Sequence, residues 1–517
     1  VPGGLRGLPG RSAPLTGREE ELTILRDTAR RASNDRKALL FTILGQPGVG
    51  KSRLARELGI ELEPAGWRVL YGRCLPYGEG ITYWPLGEVI RDLAEITPEM
   101  NSAVAQQRLA AVSPDRDTAE RLAFAIGLRA EAPVSGESLD REIAYAVRRL
   151  VESPATDRPI LLVVEDIHWA EPPLLDLLEY LATWTRDRCL LIVALARPDL
   201  IDRRPGWGSG RMEASRLQLE ALSREEATSL VHALLAADGL PEDLRDRILD
   251  RAEGNPLFVE ETIRMLIDQG AVVERDGAWV AANELVEVEV PETIEALVRA
   301  RIDALPRDDR SILQCAAVIG RTFRRSALAA LVDGPVDTFL DEAILRDLVS
   351  EEPAADPSYR FKHLVIRDVA YGSLPKARRA ALHRRTVEWL IEWAADRRDE
   401  FVEIEAQHLE QAVKLLNELE GQADGALVDQ AVAALRRSTE KAGARDDLRA
   451  VISFANRALA LHPRSTEERL ELQTMLLEAM FESGDFAHGR DLGAAVAEQA
   501  GAIGRRDLRG RALLRAG

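Results

Sequence analysis

The segment Gly45-Gln46-Pro47-Gly48-Val49-Gly50-Lys51-Ser52 fits G-x-x-x-x-G-K-[ST], and the apolar run Leu39-Leu40-Phe41-Thr42-Ile43-Leu44 before it supplies the strand such a loop must follow. Strand, glycine turn and helix in that order constrain the chain to an α/β P-loop NTPase domain, a doubly wound parallel sheet with helices on both faces. The glycines let the backbone close so that successive N–H groups point at phosphate, and the helix starting near Lys51 adds its positive dipole end. Gly45, Gln46, Pro47, Gly48, Val49 and Gly50 form the expected cradle, with Lys51 reaching the β- and γ-phosphates and Ser52 holding Mg²⁺. Arg53, next on the helix, is counted with the same cofactor-binding set.

Farther along, Arg158-Pro159-Ile160-Leu161-Leu162-Val163-Val164-Glu165-Asp166 is an apolar strand ending in two carboxylates. Continuous apolarity suits a central parallel strand covered on both faces, and acids at its C-terminal end would lie beside the P-loop. There one acid binds Mg²⁺ while the other positions or deprotonates the attacking water. The pair leaves open which does which; Asp166 is the expected magnesium ligand, with Glu165 next. A further strand, Cys189 to Ala196, runs into Arg197-Pro198. If the strands are neighbours, Arg197 emerges near the γ-phosphate, where a guanidinium can read the nucleotide state.

At 517 residues the chain exceeds one hydrophobic core. The expected division is a linker over 1–14, the nucleotide-binding domain over 15–205, a helical lid over 206–289, a winged-helix domain over 290–380 and helical, tetratricopeptide-like repeats over 381–517. The linker is rich in Gly, Pro and Arg, the chain begins at Val1, and it ends at Gly517 inside the repeats. A piece of something longer, with a truncated repeat array, is therefore expected. The three cysteines, Cys74, Cys189 and Cys315, are far apart and support neither a disulfide framework nor a zinc site. A net charge of −18 works against nucleic acid and anionic lipid as partners. No apolar run approaches the ~20 residues that span a bilayer, and a cytoplasmic protein is expected.

Past Pro205, apolar residues recur at three-to-four spacing over Ser223 to Ala237 and Pro241 to Ala252, and Gly254-Asn255-Pro256-Leu257 opens another helix. From Val290 to Leu374 several helices and a strand at Tyr359 to Lys362 suit a winged-helix module. Its many acids, among them Asp337, Asp341, Glu342, Asp347, Glu351 and Glu352, suit an intramolecular clamp better than DNA.

Together these segments resemble the bacterial signal-transduction ATPases with numerous domains, the STAND class, and within it the ATPases fused to class III adenylate/guanylate cyclases or found in large LuxR-type regulators. The resemblance rests on Leu15-Thr16-Gly17-Arg18-Glu19-Glu20-Glu21-Leu22, on the segment Gly72 to Leu86 with its Tyr77, Gly78 and Trp84, and on Glu165-Asp166-Ile167-His168-Trp169-Ala170. It adds Arg18 to the nucleotide contacts and implies ATP or ADP as the nucleotide, with Pro256 packing on the adenine. It also implies that His363, in Phe361-Lys362-His363-Leu364, contacts the β-phosphate of ADP.

The implied function is a signalling switch, latched by ADP, opened by ATP and hydrolysing slowly. Its output would be an attached effector, such as an N-terminal cyclase or a transcriptional module, or nucleotide-dependent self-assembly. The repeats would receive a protein or small-molecule signal. Two other readings stand beside it: a steadily cycling AAA+-like ATPase that remodels a protein or DNA client, and a scaffold whose nucleotide is structural.

Overall fold

The computed structural model describes residues 15–75, 81–129, 139–153, 158–209, 213–235, 240–275, 278–282, 290–352 and 356–516. The expected linker and residues 76–80 of the Gly72 to Leu86 segment lie outside them. Five parallel strands form the first sheet: β1 (Ala38–Gly45), β2 (Arg68–Arg73), β3 (Ile160–Glu165), β4 (Leu190–Ala196) and β5 (Ala214–Leu219), in the order β2-β3-β4-β1-β5.

The three inner strands β3, β4 and β1 are buried along their whole length, because alternate side chains serve two separate cores. Leu39, Phe41 and Ile43 pack with the helices Glu19–Asp35 and Lys51–Leu62 on one face. Leu40 and Leu44 pack with the helices Trp84–Leu93, Leu139–Val151 and Pro172–Trp184 on the other. The edge strand β5 falls beyond Pro205, where helices alone were expected; its mixed sequence, Ala-Ser-Arg-Leu-Gln-Leu, is that of a half-exposed edge.

Three helices follow: Arg224–Leu235, Glu242–Ala252 and Pro256–Asp268, around one core that includes Leu230, Ile248 and Ile263. A hairpin of β6 (Val272–Arg275) and β7 (Ala278–Ala281), not expected from the sequence, closes this part. Residues 294–372 fold as the helices Ile294–Asp303, Arg307–Ile319, Arg325–Leu331, Asp337–Leu345 and Leu364–Gly372 around an antiparallel sheet. That sheet has β8 (Thr322–Arg324), β9 (Val349–Glu352) and β10 (Ser358–Phe361) in the order β8-β10-β9. Only β10 was expected; its Ser-Tyr-Arg-Phe alternates, whereas β8 has three residues and β9, Val-Ser-Glu-Glu, lacks alternation.

The rest is helical, from Lys376–Ala394 through Val402–Glu420, Gly425–Gly443, Leu448–Ala460, Thr466–Glu482 and Phe486–Ala502 to Arg506–Ala516, each packed on the next. The C-terminal helices dock on the first sheet domain through buried polar contacts. Arg91 pairs with Glu400 at 2.8 Å, Arg397 donates to the carbonyls of Thr97, Pro98 and Met100, and Arg445 donates to the carbonyl of Phe124. Thr82 donates to Asp447, and Trp84 meets Phe401 edge-on at 6.2 Å. Among the described residues no helix is long and apolar enough to cross a membrane.

A buried relay joins the third part to the C-terminal helices: Tyr371 Oη lies 2.9 Å from His383 Nε2, and His383 Nδ1 lies 2.8 Å from His408 Nδ1. Burial holds His408 down to about 4 and pushes His383 well below its ordinary value. The unfolded chain takes up these protons near pH 6.5 and the fold resists until about pH 4, so acidification through that window destabilises the fold. His408 alone is worth about 3 kcal/mol once the window is crossed. A melting temperature followed from pH 6.5 to 4.5 should therefore fall, and the fall should flatten in the double variant His383→Gln/His408→Gln.

Candidate nucleotide site

The loop between β1 and the helix Lys51–Leu62 turns through left-handed backbone at Gly48 (φ 83°) and Gly50 (φ 104°), conformations that glycine adopts without strain. Lys51 Nζ donates to the carbonyls of Gly45 and Gln46 at 2.8 and 2.9 Å. No carboxylate among the described residues lies within ion-pair distance of it, and burial holds the ammonium down to about 8 despite Asp166. An ammonium supported among the described residues only by carbonyls, at a glycine turn that opens a helix, suits an anion, so these residues fit a bound phosphate chain.

Because β4 lies between β1 and β3, the ends of all three strands converge on this loop. Arg197, just past β4, sets its guanidinium over the Trp169 ring at 5.4 Å. Glu165 ends β3 fully buried and accepts from Arg73 Nε at 2.8 Å. Asp166 follows in left-handed backbone (φ 60°), more open to solvent. Burial by itself would raise the Glu165 carboxyl; Arg73, then Arg321 and Arg360, outweigh it and hold the group well below the ordinary carboxylate range.

Arg321 comes from the third part of the chain. It donates from Nη1 to Asp166 Oδ2 at 2.9 Å, and its Nη2 lies 3.8 Å from Glu165 Oε2. Both strand-end acids are thus capped by one guanidinium from another part of the fold. Nothing in the local sequence Gly320-Arg321 signals this, and Arg73 stands out in the sequence only as part of the Gly72 to Leu86 segment. His168, three residues past Glu165, is buried with neither ring nitrogen hydrogen-bonded among the described residues, and burial pushes it down to about 4.

The turn opening the helix Pro256–Asp268 abuts the P-loop. Asn255 Nδ2 donates to the Pro47 carbonyl at 3.2 Å, and a Cβ on Gly48 would meet Asn255 Oδ1 at 2.7 Å. Pro256 therefore stands beside the loop, and Arg53 reaches Glu260 of the same helix at 3.4 Å. Arg18 is buried; its guanidinium donates to the carbonyls of Glu220 and Val49 and pairs with Glu21, bracing the loop through its backbone. His363 caps the helix Leu364–Gly372, with a buried Nε2 that has no hydrogen-bond partner among the described residues. Burial pushes it down to about 3, with Glu261 pulling upward and Arg264, Lys362 and Arg321 downward, so it sits at the same junction as Arg321.

Residues 14–193 match the AAA ATPase domain family. This AAA ATPase domain contains the P-loop, both strand-end acids and most of β4. Residues 223–278 match a domain of unknown function, which takes in the three helices after β5 and the turn at Asn255. An uncharacterized protein of Rhizobium meliloti is 26% identical over 395 residues, covering 72% of this chain. The chain spans 36% of that relative's length. Among solved structures, a signal-transduction ATPase with numerous domains and a tetratricopeptide repeat sensor from Pyrococcus horikoshii aligns over 98% of this chain and 80% of its own, at 13% identity and a TM-score of 0.46. The Orc1 protein of Aeropyrum pernix, in complex with DNA, aligns over 70% of this chain and 94% of its own, at 14% identity and a TM-score of 0.33.

Proposed function

We propose that the chain is an ATP/ADP-operated signalling switch of the STAND class, whose closed state is held across the nucleotide. The observation that carries this reading is Arg321, which reaches from the third part of the chain to both strand-end acids of the AAA ATPase domain. An arrangement that caps its own hydrolytic carboxylates suits a latch that turns over slowly. Each cycle must break the ion pair between Arg321 and Asp166 before the acids are free to act.

In this reading the domains are those expected from the sequence, with β5 added to the first: a helical lid, a winged-helix clamp and tetratricopeptide-like sensor repeats. Lys51 directs its ammonium at the β- and γ-phosphates, and the P-loop amides hold the chain of phosphates. Magnesium, when bound, would neutralise phosphate charge, held by Ser52 and Asp166. Asp166 is the better ligand of the two acids because it is the more open and acts on Lys51 ahead of Glu165. Glu165, kept ionised by its arginines, would orient or deprotonate the attacking water once Arg321 withdraws. Arg197 would read the γ-phosphate, Pro256 the adenine, and the orphaned Nε2 of His363 the β-phosphate of ADP. The output would be an attached effector, such as a cyclase or a transcriptional module, or self-assembly.

Denaturing freshly purified protein and identifying the released nucleotide by chromatography, beside a steady-state hydrolysis assay, tests the reading. Near-stoichiometric ADP with very slow turnover is expected, and Arg321→Ala and His363→Ala should each speed ADP release by about tenfold or more. Protein that emerges empty and turns over ATP briskly would sink the latch in favour of a cycling ATPase.

A further inference from the structure

A cavity of about 500 Å³ opens where the AAA ATPase domain, residues 318–324 and the C-terminal helices meet. That volume falls within the range of pockets that hold drug-sized ligands. Aromatic side chains form one part of its walls. Trp389 and Trp393 stack at 5.2 Å, Phe401 stands edge-on to Trp393, and Trp84 faces Phe401 from the ATPase domain. The Tyr371, His383 and His408 relay lines the same space, supplying neutral hydrogen-bonding groups.

The charge in this cavity is unbalanced. Arg73, Arg321 and Arg324 line it, whereas the carboxylates on its surface are Glu88 and Glu352. Glu352 is occupied by Arg360, and Glu88 accepts from the backbone N–H of Arg73. Arg324 lies over the Trp393 ring at 4.8 Å, with its nearest carboxylate, Asp356, 3.9 Å away. Arg321 keeps a buried Nε without a hydrogen-bond partner among the described residues. Burial lowers both guanidinium groups, and the neighbouring Arg73 adds to the lowering at Arg321.

We propose that this cavity binds a small ring-bearing organic anion, its rings packed on the aromatic wall and its carboxylate, sulfonate or phosphate on Arg324 and Arg321. Occupation is communicated to the nucleotide site, because Arg73 and Arg321 line the cavity and also neutralise Glu165 and Asp166. An anion that draws Arg321 toward itself weakens its hold on the two acids, which gives the two sites a coupling free energy. The coupling rests on the switch reading; the binding does not.

Anilinonaphthalene sulfonate is a suitable probe, since it is an aromatic anion whose emission rises in apolar surroundings and is excited by energy transfer from nearby tryptophan. One saturable site is expected, with the neutral phenylnaphthylamine binding at least tenfold more weakly. Arg324→Gln should weaken the sulfonate by about tenfold, and exchange of the lining residue in Ile404→Trp, which sets an indole where the ligand rings would lie, should abolish binding at an unchanged melting temperature. Absence of a saturable site, or binding indifferent to both variants, would overturn the assignment. This titration needs no nucleotide, so it stands apart from any failure of the switch. In protein loaded with a fluorescent ADP analogue, the probe should change the release rate several-fold in the parent and not in Ile404→Trp; an unchanged rate in the parent would overturn the coupling.

Discussion

Asp166→Asn is expected to reduce ATP hydrolysis by about 10²–10³-fold while leaving the melting temperature within about 4 °C of the parent. The side chain is 24% exposed, its ion pair with Arg321 is only partly buried, and asparagine tolerates the left-handed backbone that Asp166 adopts. Glu165→Gln should cost both hydrolysis and stability. That carboxylate is 6% exposed and neutralises Arg73 and Arg321, so removing its charge leaves buried guanidinium groups uncompensated, at about 3–5 kcal/mol. Parallel hydrolysis assays and melting curves separate the two acids. Equal loss of stability in both variants would refute the division of labour, and unimpaired hydrolysis in Asp166→Asn would remove that residue from the chemistry.

The second large effect lies at the joint between the helix Pro256–Asp268 and the third part of the chain. Glu261 is wholly buried; it pairs with Arg264 at 3.0 Å and Arg301 at 2.5 Å, while Arg301 also reaches Asp268 and Arg264 reaches Asp347. Burial would raise the Glu261 carboxyl, but Arg301 and Arg264, with His363, hold it down to about 2. Its folded value lies below its unfolded one, so its contribution is complete above about pH 4.5 and is lost as the pH falls toward 2. Glu261→Gln leaves two buried arginines short of charge and should cost about 3–5 kcal/mol, or roughly 10 °C in melting temperature. Pairing it with Arg301→Met should cost less than the sum of the single changes, because each removes the other's unpaired charge. Strict additivity would show that the two residues do not act as a unit.

The parts of the fold legible in the sequence are those with strong local signals. Strands β1, β3 and β4 read as unbroken apolar runs because both of their faces are covered, and the P-loop reads from spacing alone because phosphate contact needs those residue types in consecutive positions. The acid pair was legible for the same reason, as the polar end of a buried strand. Strands β5, β8 and β9 and the β6–β7 hairpin were not, since short half-exposed strands mix polar and apolar residues with no clear period.

What the acids touch is a matter for tertiary structure alone. Arg73 meets Glu165 across 92 residues of chain and Arg321 meets Asp166 across 155. A guanidinium carries no local pattern that names its distant partner, and any of the chain's many arginines could have filled that place. The same holds for the aromatic cavity, whose Trp84 lies far from Trp389 and Trp393 in the sequence and which becomes a site only where three parts of the fold close on one another. The sequence determined that a phosphate cradle and two carboxylates exist. Packing, which depends on side chains brought together from far along the chain, decided that a cation from another part of the fold stands guard over them.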